Sequence, residues 1–162
     1  MKILLLEDNN KLNETITKRL KIKNYNVISF TDGSDAYENI TEGFSCFILD
    51  INVPNVDGIN ILKKIREYYD VIPVIIISAS VELDVIKQSY DFGCNDYLKK
   101  PFFIDELEIK IEKLCNIKDD KIYFDTNSYF DFKSATLVID EEETRLTKKE
   151  KLLMNLFLSK KN

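Results

Sequence analysis

The stretch CFILDINVPNVDG, residues 46–58, decides the fold class, because an unbroken apolar run in it ends directly at an acidic residue, Asp50. Similar apolar runs occupy residues 3–6 and 74–77, and less continuous runs occupy residues 26–30 and 96–98. Short apolar runs of this kind are typical of strands that are buried on both faces of a parallel sheet.

Segments of helical length separate these runs, and each segment repeats its apolar residues every three or four positions. The repeats are Leu12, Ile16 and Leu20; Ile59, Leu62 and Ile65; and Ile104, Leu107, Ile111 and Leu114. Alternation of strand and helix along the chain predicts a doubly wound α/β fold with a five-stranded parallel sheet.

Polar residues follow the predicted strands at the points where the strands end. Glu7 and Asp8 follow the first strand, Asp50 ends the third, Ser78 ends the fourth, and Lys100 follows the fifth. Doubly wound sheets carry their sites at the carboxyl ends of the strands, near the point where strand order reverses. The pattern therefore predicts three carboxylates, one hydroxyl and one ammonium on a single rim of the sheet.

Three clustered carboxylates repel one another unless a cation offsets their charge. Hard oxygen ligands of this kind favour Mg²⁺, which keeps several waters and accepts one or two carboxylates. We expect Asp8 and Asp50 to bind the ion directly and Glu7 to act through water. With Mg²⁺ in place, Asp50 is a candidate nucleophile toward a phosphoryl group, and Lys100 and Ser78 are candidates to hold its oxygens.

Composition excludes several other classes of function. The chain has no histidine, so a serine–histidine triad, a histidine-ligated zinc site and a phosphohistidine donor are all excluded. A net charge of -5 gives no indication of binding to nucleic acid or to an anionic membrane. The chain has no apolar run long enough to span a bilayer. Its three cysteines (Cys46, Cys94 and Cys115) lack the spacing of a metal site. We therefore expect a cytoplasmic protein with reduced thiols.

Four motifs resemble the receiver domains of two-component response regulators. They are LLLEDN (4–9), LDINVPNVDG (49–58), PVIIISA (73–79) and GCNDYLKKPF (93–102), within a domain at residues 1–117. The resemblance implies a flavodoxin-like (CheY-like) fold with strand order 2-1-3-4-5. It also implies a phospho-acceptor rather than an enzyme, with phosphoryl transfer from a sensor histidine kinase to Asp50. The metal site that it implies holds Mg²⁺ through Asp8, Asp50 and the Asn52 backbone carbonyl, and Glu7 completes it.

The same resemblance suggests a conformational switch. Phosphorylation adds charge and acceptor oxygens at Asp50, toward which the Ser78 hydroxyl can move. The space that Ser78 leaves can be filled by the ring of Tyr97. That local change of packing would reshape the surface formed by helix 4, strand 5 and helix 5.

Residues 122–162 resemble the start of the winged-helix output domain of the OmpR/PhoB subfamily, after a linker at residues 118–121. Strand-like runs at 122–124, 129–132 and 136–139 predict a small antiparallel sheet, and we expect residues 140–143 to form a solvated turn. Thr147 and Glu150 have the spacing of a capping box, before the apolar residues Leu152, Leu153, Leu156 and Phe157. The subfamily's recognition helix would lie beyond Asn162, so we expect this chain to be a fragment or a truncation. We expect DNA binding only from a full-length protein.

The subfamily dimerises through helix 4, strand 5 and helix 5 with charge pairs. Asp91, Asp96, Glu106 and Lys110 stand at the corresponding positions, which implies a homodimer of the phosphorylated protein. Ile86 replaces the usual arginine, so the standard set of salt bridges is in doubt.

Two alternatives to a transcription regulator are open at this point. One is an interaction-only receiver, or phosphate sink, that works without DNA. The other is a phosphatase of the haloacid-dehalogenase type, which requires a second acid two residues after its nucleophile. Asn52 occupies that position, which argues against the phosphatase.

Overall fold

The computed structural model describes residues 1–115, 121–123, 128–131, 135–140, 142–147, 149–150 and 153–154. The chain divides into two compact units, residues 1–116 and 117–162. Among the described residues, no helix combines the length and apolar composition that crossing a bilayer requires.

The first unit alternates five strands with five helices. The strands are β1 (Lys2–Leu6), β2 (Asn26–Phe30), β3 (Cys46–Asp50), β4 (Val74–Ser78) and β5 (Asp96–Lys99). The helices are α1 (Asn10–Ile22), α2 (Gly33–Asn39), α3 (Gly58–Tyr68), α4 (Leu83–Asp91) and α5 (Ile104–Leu114). All neighbouring strands are parallel, in the order β2-β1-β3-β4-β5, which confirms the predicted fold class and strand order.

The three central strands are buried on both faces, and alternate side chains enter two separate cores. Leu4 and Leu6 belong to the core that α2 and α3 cover, whereas Ile3 and Leu5 belong to the core beneath α1 and α5. Because both faces of the sheet exclude water, the central strands need apolar residues at every position. This two-sided burial explains the unbroken runs in the sequence.

Polar caps fix where the helices begin after the strands. Asn9 caps α1 by accepting from the backbone N–H of Leu12 at 3.1 Å. Asp57 caps α3 by accepting from the N–H of Asn60 at 2.8 Å. Each cap satisfies a backbone donor that the first helical turn leaves free, so β1 and β3 pass into their helices through short, defined loops.

The second unit contains a four-stranded antiparallel sheet in chain order. Its strands are β6 (Lys121–Tyr123), β7 (Tyr129–Asp131), β8 (Thr136–Ile139) and β9 (Glu142–Arg145). The expected solvated turn at residues 140–143 is wrong in part, because Glu142 and Glu143 pair with Ile139 and Val138. The strand β9 is exposed along its whole length, so it lacks the apolar alternation by which a sequence reveals a strand.

The predicted capping box is confirmed in the second unit. The Thr147 N–H donates to Glu150 Oε2 at 2.7 Å, and the Glu150 N–H donates to Thr147 Oγ1 at 3.4 Å. Hydrogen bonds from the Thr147 hydroxyl and N–H lower the pKa of Glu150. Leu153 is exposed, and other positions with sequence predictions lie outside the described residues: Leu152, Leu156, Phe157, Phe124, Phe132 and the linker positions 118–120.

An ion-pair network joins α1 to α5. The buried carboxylate of Glu108 lies 2.8 Å from Arg19 Nε and 3.4 Å from Lys23 Nζ. Arg19 also contacts Asp105, and Lys23 Nζ lies 2.7 Å from Glu112 Oε1. The hydrogen bond from Arg19, helped by the two positive charges, outweighs burial and lowers the pKa of Glu108.

Replacement of Glu108 by glutamine should weaken this attachment of α5. A carboxylate whose pKa is lower in the folded chain stabilises above its unfolded pKa of about 4.3, and this stabilisation is lost as pH falls through the folded value. We expect Glu108→Gln to lower the free energy of unfolding by about 1 kcal/mol at pH 7 and the difference to shrink in acid. Urea unfolding followed by circular dichroism would measure both, with exposed Glu106→Gln as the control. Equal losses in the two variants would contradict the assignment.

Candidate functional site

The carboxyl ends of four strands converge on one rim of the first sheet, as the sequence predicts. Asp50 ends β3 and Ser78 ends β4, while Glu7 follows β1 and Lys100 follows β5. One oxygen from each of Glu7, Asp8 and Asp50 lies within 4.8 Å of the other two. Asp8 is exposed and the other two carboxylates are buried.

Lys100 supplies the positive charge of this rim. Its Nζ lies 2.5 Å from Asp50 Oδ2 and 2.6 Å from Glu7 Oε2. Its backbone N–H donates to the Ser78 carbonyl at 2.8 Å, which holds the residue beside the end of β4. Burial lowers the pKa of Lys100, but hydrogen bonds and charge from Asp50 and Glu7 outweigh it and raise the pKa. The ammonium is therefore charged at neutral pH.

Glu7 is a fully buried carboxylate. Its Oε1 accepts from the Asn9 N–H at 3.2 Å. Its Oε2 forms an ion pair with Lys100 Nζ at 2.6 Å. Burial raises the pKa of Glu7, Asp50 adds to the rise, and Lys100 opposes it. The cluster thus keeps negative charge that the single ammonium of Lys100 does not offset.

These features fit a hard divalent cation. The three acidic side chains offer only oxygen ligands, and a single lysine offsets only part of their charge. Magnesium takes one or two carboxylates and retains waters, which suits a cluster with one exposed member, Asp8. A carboxylate oxygen has more than one acceptor site, so Glu7 can accept from a metal-bound water in addition to its ion pair with Lys100.

Ser78 and Tyr97 are both tied to the segment that follows β4. The buried hydroxyl of Ser78 accepts from the Ser80 N–H at 3.1 Å. The half-buried Tyr97 donates its hydroxyl to the Ser80 carbonyl at 3.2 Å. Movement of Ser78 would break a bond to the residue that holds the Tyr97 hydroxyl, so the two predicted switch residues share one connecting residue.

Comparison with known protein families agrees with this geometry. Residues 3–112 match the family model described as the response regulator receiver domain. This chain belongs to the response regulator family. The match spans the first unit, including every side chain of the acidic rim.

Curated relatives of this response regulator are transcriptional regulators. Transcriptional regulatory protein KdpE of Staphylococcus aureus is 34% identical over 99% of this chain and 71% of its own length. Transcriptional regulatory protein CssR of Bacillus subtilis is 37% identical over 98% of this chain and 74% of its own length.

Solved receiver domains superpose on this response regulator. The Francisella response regulator 1452 receiver domain matches with a TM-score of 0.67 and 32% identity, over 72% of this chain and 97% of that one. The non-phosphorylated HemR receiver domain of Leptospira biflexa matches with a TM-score of 0.67 and 26% identity, over 72% of this chain and 95% of that one.

The residues predicted for a dimer surface are partly paired within the chain itself. Lys110 Nζ lies 2.9 Å from both carboxylate oxygens of Asp96, which joins α5 to β5. Asp91 and Glu106 are exposed, and Ile86 is half-buried. In this response regulator one of the expected charge pairs is therefore intramolecular.

Sequence reasoning missed two sets of residues that hold the backbone near the acidic rim in place. Asn13 donates from Nδ2 to the carbonyls of Glu7 at 2.9 Å and Phe30 at 3.2 Å, which fastens α1 to the ends of β1 and β2. Its signal in the sequence is a polar residue on the same helical face as Ile16 and Leu20.

The second missed set ties the loop after Asp50 to the start of α2. The Gly33 N–H donates to the Pro54 carbonyl at 3.0 Å. The Asn55 side chain donates to the carboxylate of Asp32, which also caps α2. No local pattern reveals these contacts, because they join segments that are distant along the chain.

Gly58 is the first residue of α3 and lies directly against the backbone of Asp50. A Cβ at Gly58 would stand 2.2 Å from the backbone oxygen of Asp50. Its N–H donates to the Ile51 carbonyl at 3.0 Å. The absence of a side chain lets α3 start against the end of β3.

Gly58→Ala should therefore cost about 2–3 kcal/mol of folding free energy, because backbone atoms must move to admit the methyl group. Gly43→Ala is the matched control: Gly43 has a φ of 75° and open space around it, so only backbone strain of about 1 kcal/mol is expected. Denaturant unfolding would compare the two variants. A smaller loss at Gly58 than at Gly43 would contradict the close approach.

Proposed function

We propose that this response regulator accepts a phosphoryl group on Asp50 from a partner histidine kinase, with Mg²⁺ bound at the acidic rim. The observation that supports it most is the Lys100 ammonium, 2.5 Å from Asp50 Oδ2 within a cluster of three carboxylates. A nucleophile, a cation and a set of metal ligands in one place are what phosphoryl transfer to a carboxylate requires.

Each side chain has a distinct part in this proposal. The backbone N–H of Asn52 donates to Asp50 Oδ1 at 3.1 Å and orients the carboxylate. Asp8, Asp50 and the Asn52 carbonyl would hold Mg²⁺, with Glu7 acting through water. A bound Mg²⁺ supplies positive charge to the phosphoryl oxygens. Lys100 can pass from the Asp50 carboxylate to a phosphoryl oxygen, because its ammonium already lies beside the attacking group.

The proposed switch uses the shared contact at Ser80. Attraction to a phosphoryl oxygen on Asp50 would draw the Ser78 hydroxyl away from the Ser80 N–H, its partner in the unphosphorylated chain. The Tyr97 ring, whose hydroxyl is bonded to Ser80, would then move inward. This couples charge at Asp50 to the surface of α4, β5 and α5.

The response of that surface is proposed to be formation of a homodimer that controls transcription in the full-length protein. The relatives KdpE and CssR are transcriptional regulators that match nearly all of this chain. The capping box of Thr147 and Glu150, after an antiparallel sheet, supports a winged-helix output domain. In the dimer, Lys110 would have to leave Asp96, or share its charge, to pair with Asp91 or Glu106 of the second copy.

Incubation with Mg²⁺ and a small acyl phosphate or amidophosphate should add one phosphoryl group, detected by intact mass. Asp50→Asn should abolish the addition, because it removes the nucleophile, and a chelator should abolish it in the wild-type protein. Asp57→Asn is the matched control, since Asp57 caps α3 beside the site without belonging to the acidic cluster. An unchanged mass in the wild type, or labelling that survives in Asp50→Asn, would overturn the proposal.

The lifetime of the phosphoryl group should depend on Asn52. This exposed side chain lies two residues after Asp50, where a small polar group admits water to the acyl phosphate. We expect Asn52→Met to slow hydrolysis several-fold by excluding that water. Decay of the phosphorylated mass after removal of the donor would measure it, with Asn60→Met on α3 as an exposed control. Equal decay in all three proteins would reject this role.

A further inference from the structure

Two of the three cysteines meet at the end of the first unit that is remote from Asp50. Cys46 is the first residue of β3 and is fully buried. Cys115 caps the end of α5, is half-buried, and packs against the same apolar core as Cys46. The two thiols lie within hydrogen-bonding reach of each other. Neither thiol belongs to the acidic rim.

The two thiols differ in pKa and in exposure to solvent, so they differ in reactivity. The hydrogen bond with Cys115, with burial adding to it, raises the pKa of Cys46. The same hydrogen bond outweighs burial and lowers the pKa of Cys115. Burial separates the two more clearly, because Cys46 is fully enclosed whereas Cys115 is half-buried. Because a thiolate rather than a thiol is the nucleophile, and because only Cys115 reaches solvent, Cys115 is the reactive member.

We propose that Cys46 and Cys115 form an oxidisable pair, in which a peroxide converts Cys115 to a sulfenic acid that Cys46 resolves to an intramolecular disulfide. In the first step the Cys115 thiolate attacks one peroxide oxygen, the O–O bond breaks, and hydroxide leaves. In the second step the Cys46 sulfur attacks the Cys115 sulfur and the S–O bond breaks. The departing hydroxide takes the thiol proton as water, so hydrogen peroxide is reduced to two waters by two thiols.

The position of the pair gives the bond a structural consequence. Cys46 and Asp50 are the two ends of β3, and Cys115 directly follows α5 at the end of the first unit. A disulfide would join the last turn of α5 covalently to the centre of the sheet. It would leave the acidic rim in place, since the rim lies at the other end of the strand.

Cys94 provides an internal control. It packs in the other core of the sheet, beneath α3 and α4. Burial raises its pKa to about 12, so it remains a thiol at neutral pH. The proposal thus requires two of three cysteines to react with peroxide and the third to stay reduced.

The test is to treat the reduced chain with hydrogen peroxide, alkylate it under denaturing conditions and measure intact mass. We expect loss of two alkylatable thiols in a monomer and a cross-linked peptide that joins Cys46 to Cys115. Cys94→Ser should form the same bond. Cys46→Ser should instead accumulate a sulfenic acid on Cys115, which a cyclic dione traps, and Cys115→Ser should keep its thiols over the same time.

Three outcomes would overturn the proposal: three alkylatable thiols after treatment, disulfides only between chains, or reaction at Cys94 before Cys115. Circular dichroism of each serine variant would establish that it is folded before oxidation. If Cys46→Ser fails to fold, the wild-type chain alone tests the proposal, because its cross-linked peptide identifies both cysteines of the disulfide. None of these readouts depends on phosphorylation of Asp50.

Discussion

One ammonium group between two buried carboxylates is the interaction on which the functional end of this response regulator depends. Glu7 and Asp50 come from neighbouring strands, and their charges would repel in a buried setting without Lys100 between them. The lysine offsets only part of the charge, because Asp8 brings a third carboxylate to the same rim. This residual charge is what makes the rim fit a divalent cation, and it supports the proposed phosphoryl transfer to Asp50.

The parallel sheet is what brings these charges together. Four of the five strands have their polar residues one or two positions beyond an apolar run, and parallel strands end at the same edge. Close contacts of the backbone then set the position of Asp50. Gly58 permits α3 to start against it, and the Asn52 N–H orients its carboxylate. The position of Asp50 therefore depends on the core and on the loop after β3 together.

The first unit carries two chemistries at opposite ends of its third strand. At one end Asp50 lies among oxygen ligands and an ammonium, and at the other Cys46 lies in an apolar core beside Cys115. Charge is stabilised at the end with Asp50, where an ammonium lies beside the carboxylates. At the other end the pKa of the buried Cys46 is raised, and only the more exposed Cys115 has a lowered pKa. The inferred oxidation would act on the end of α5, while the proposed phosphorylation would act on the surface that includes the same helix.

The sequence by itself determined the sheet and the capping box of Thr147 and Glu150, because each depends on a pattern of nearby residues. It also determined the acidic rim, because the carboxyl ends of parallel strands meet at one edge. Apolar runs reveal strands that are buried on both faces, and the residue after each run marks a strand end. Only the tertiary structure decided the role of Asn13, the close approach at Gly58 and the meeting of Cys46 with Cys115. These contacts join segments that are far apart along the chain. The strand β9 escaped prediction for a different reason: its exposed polar residues pair through the backbone, which leaves no periodic signal in the side chains.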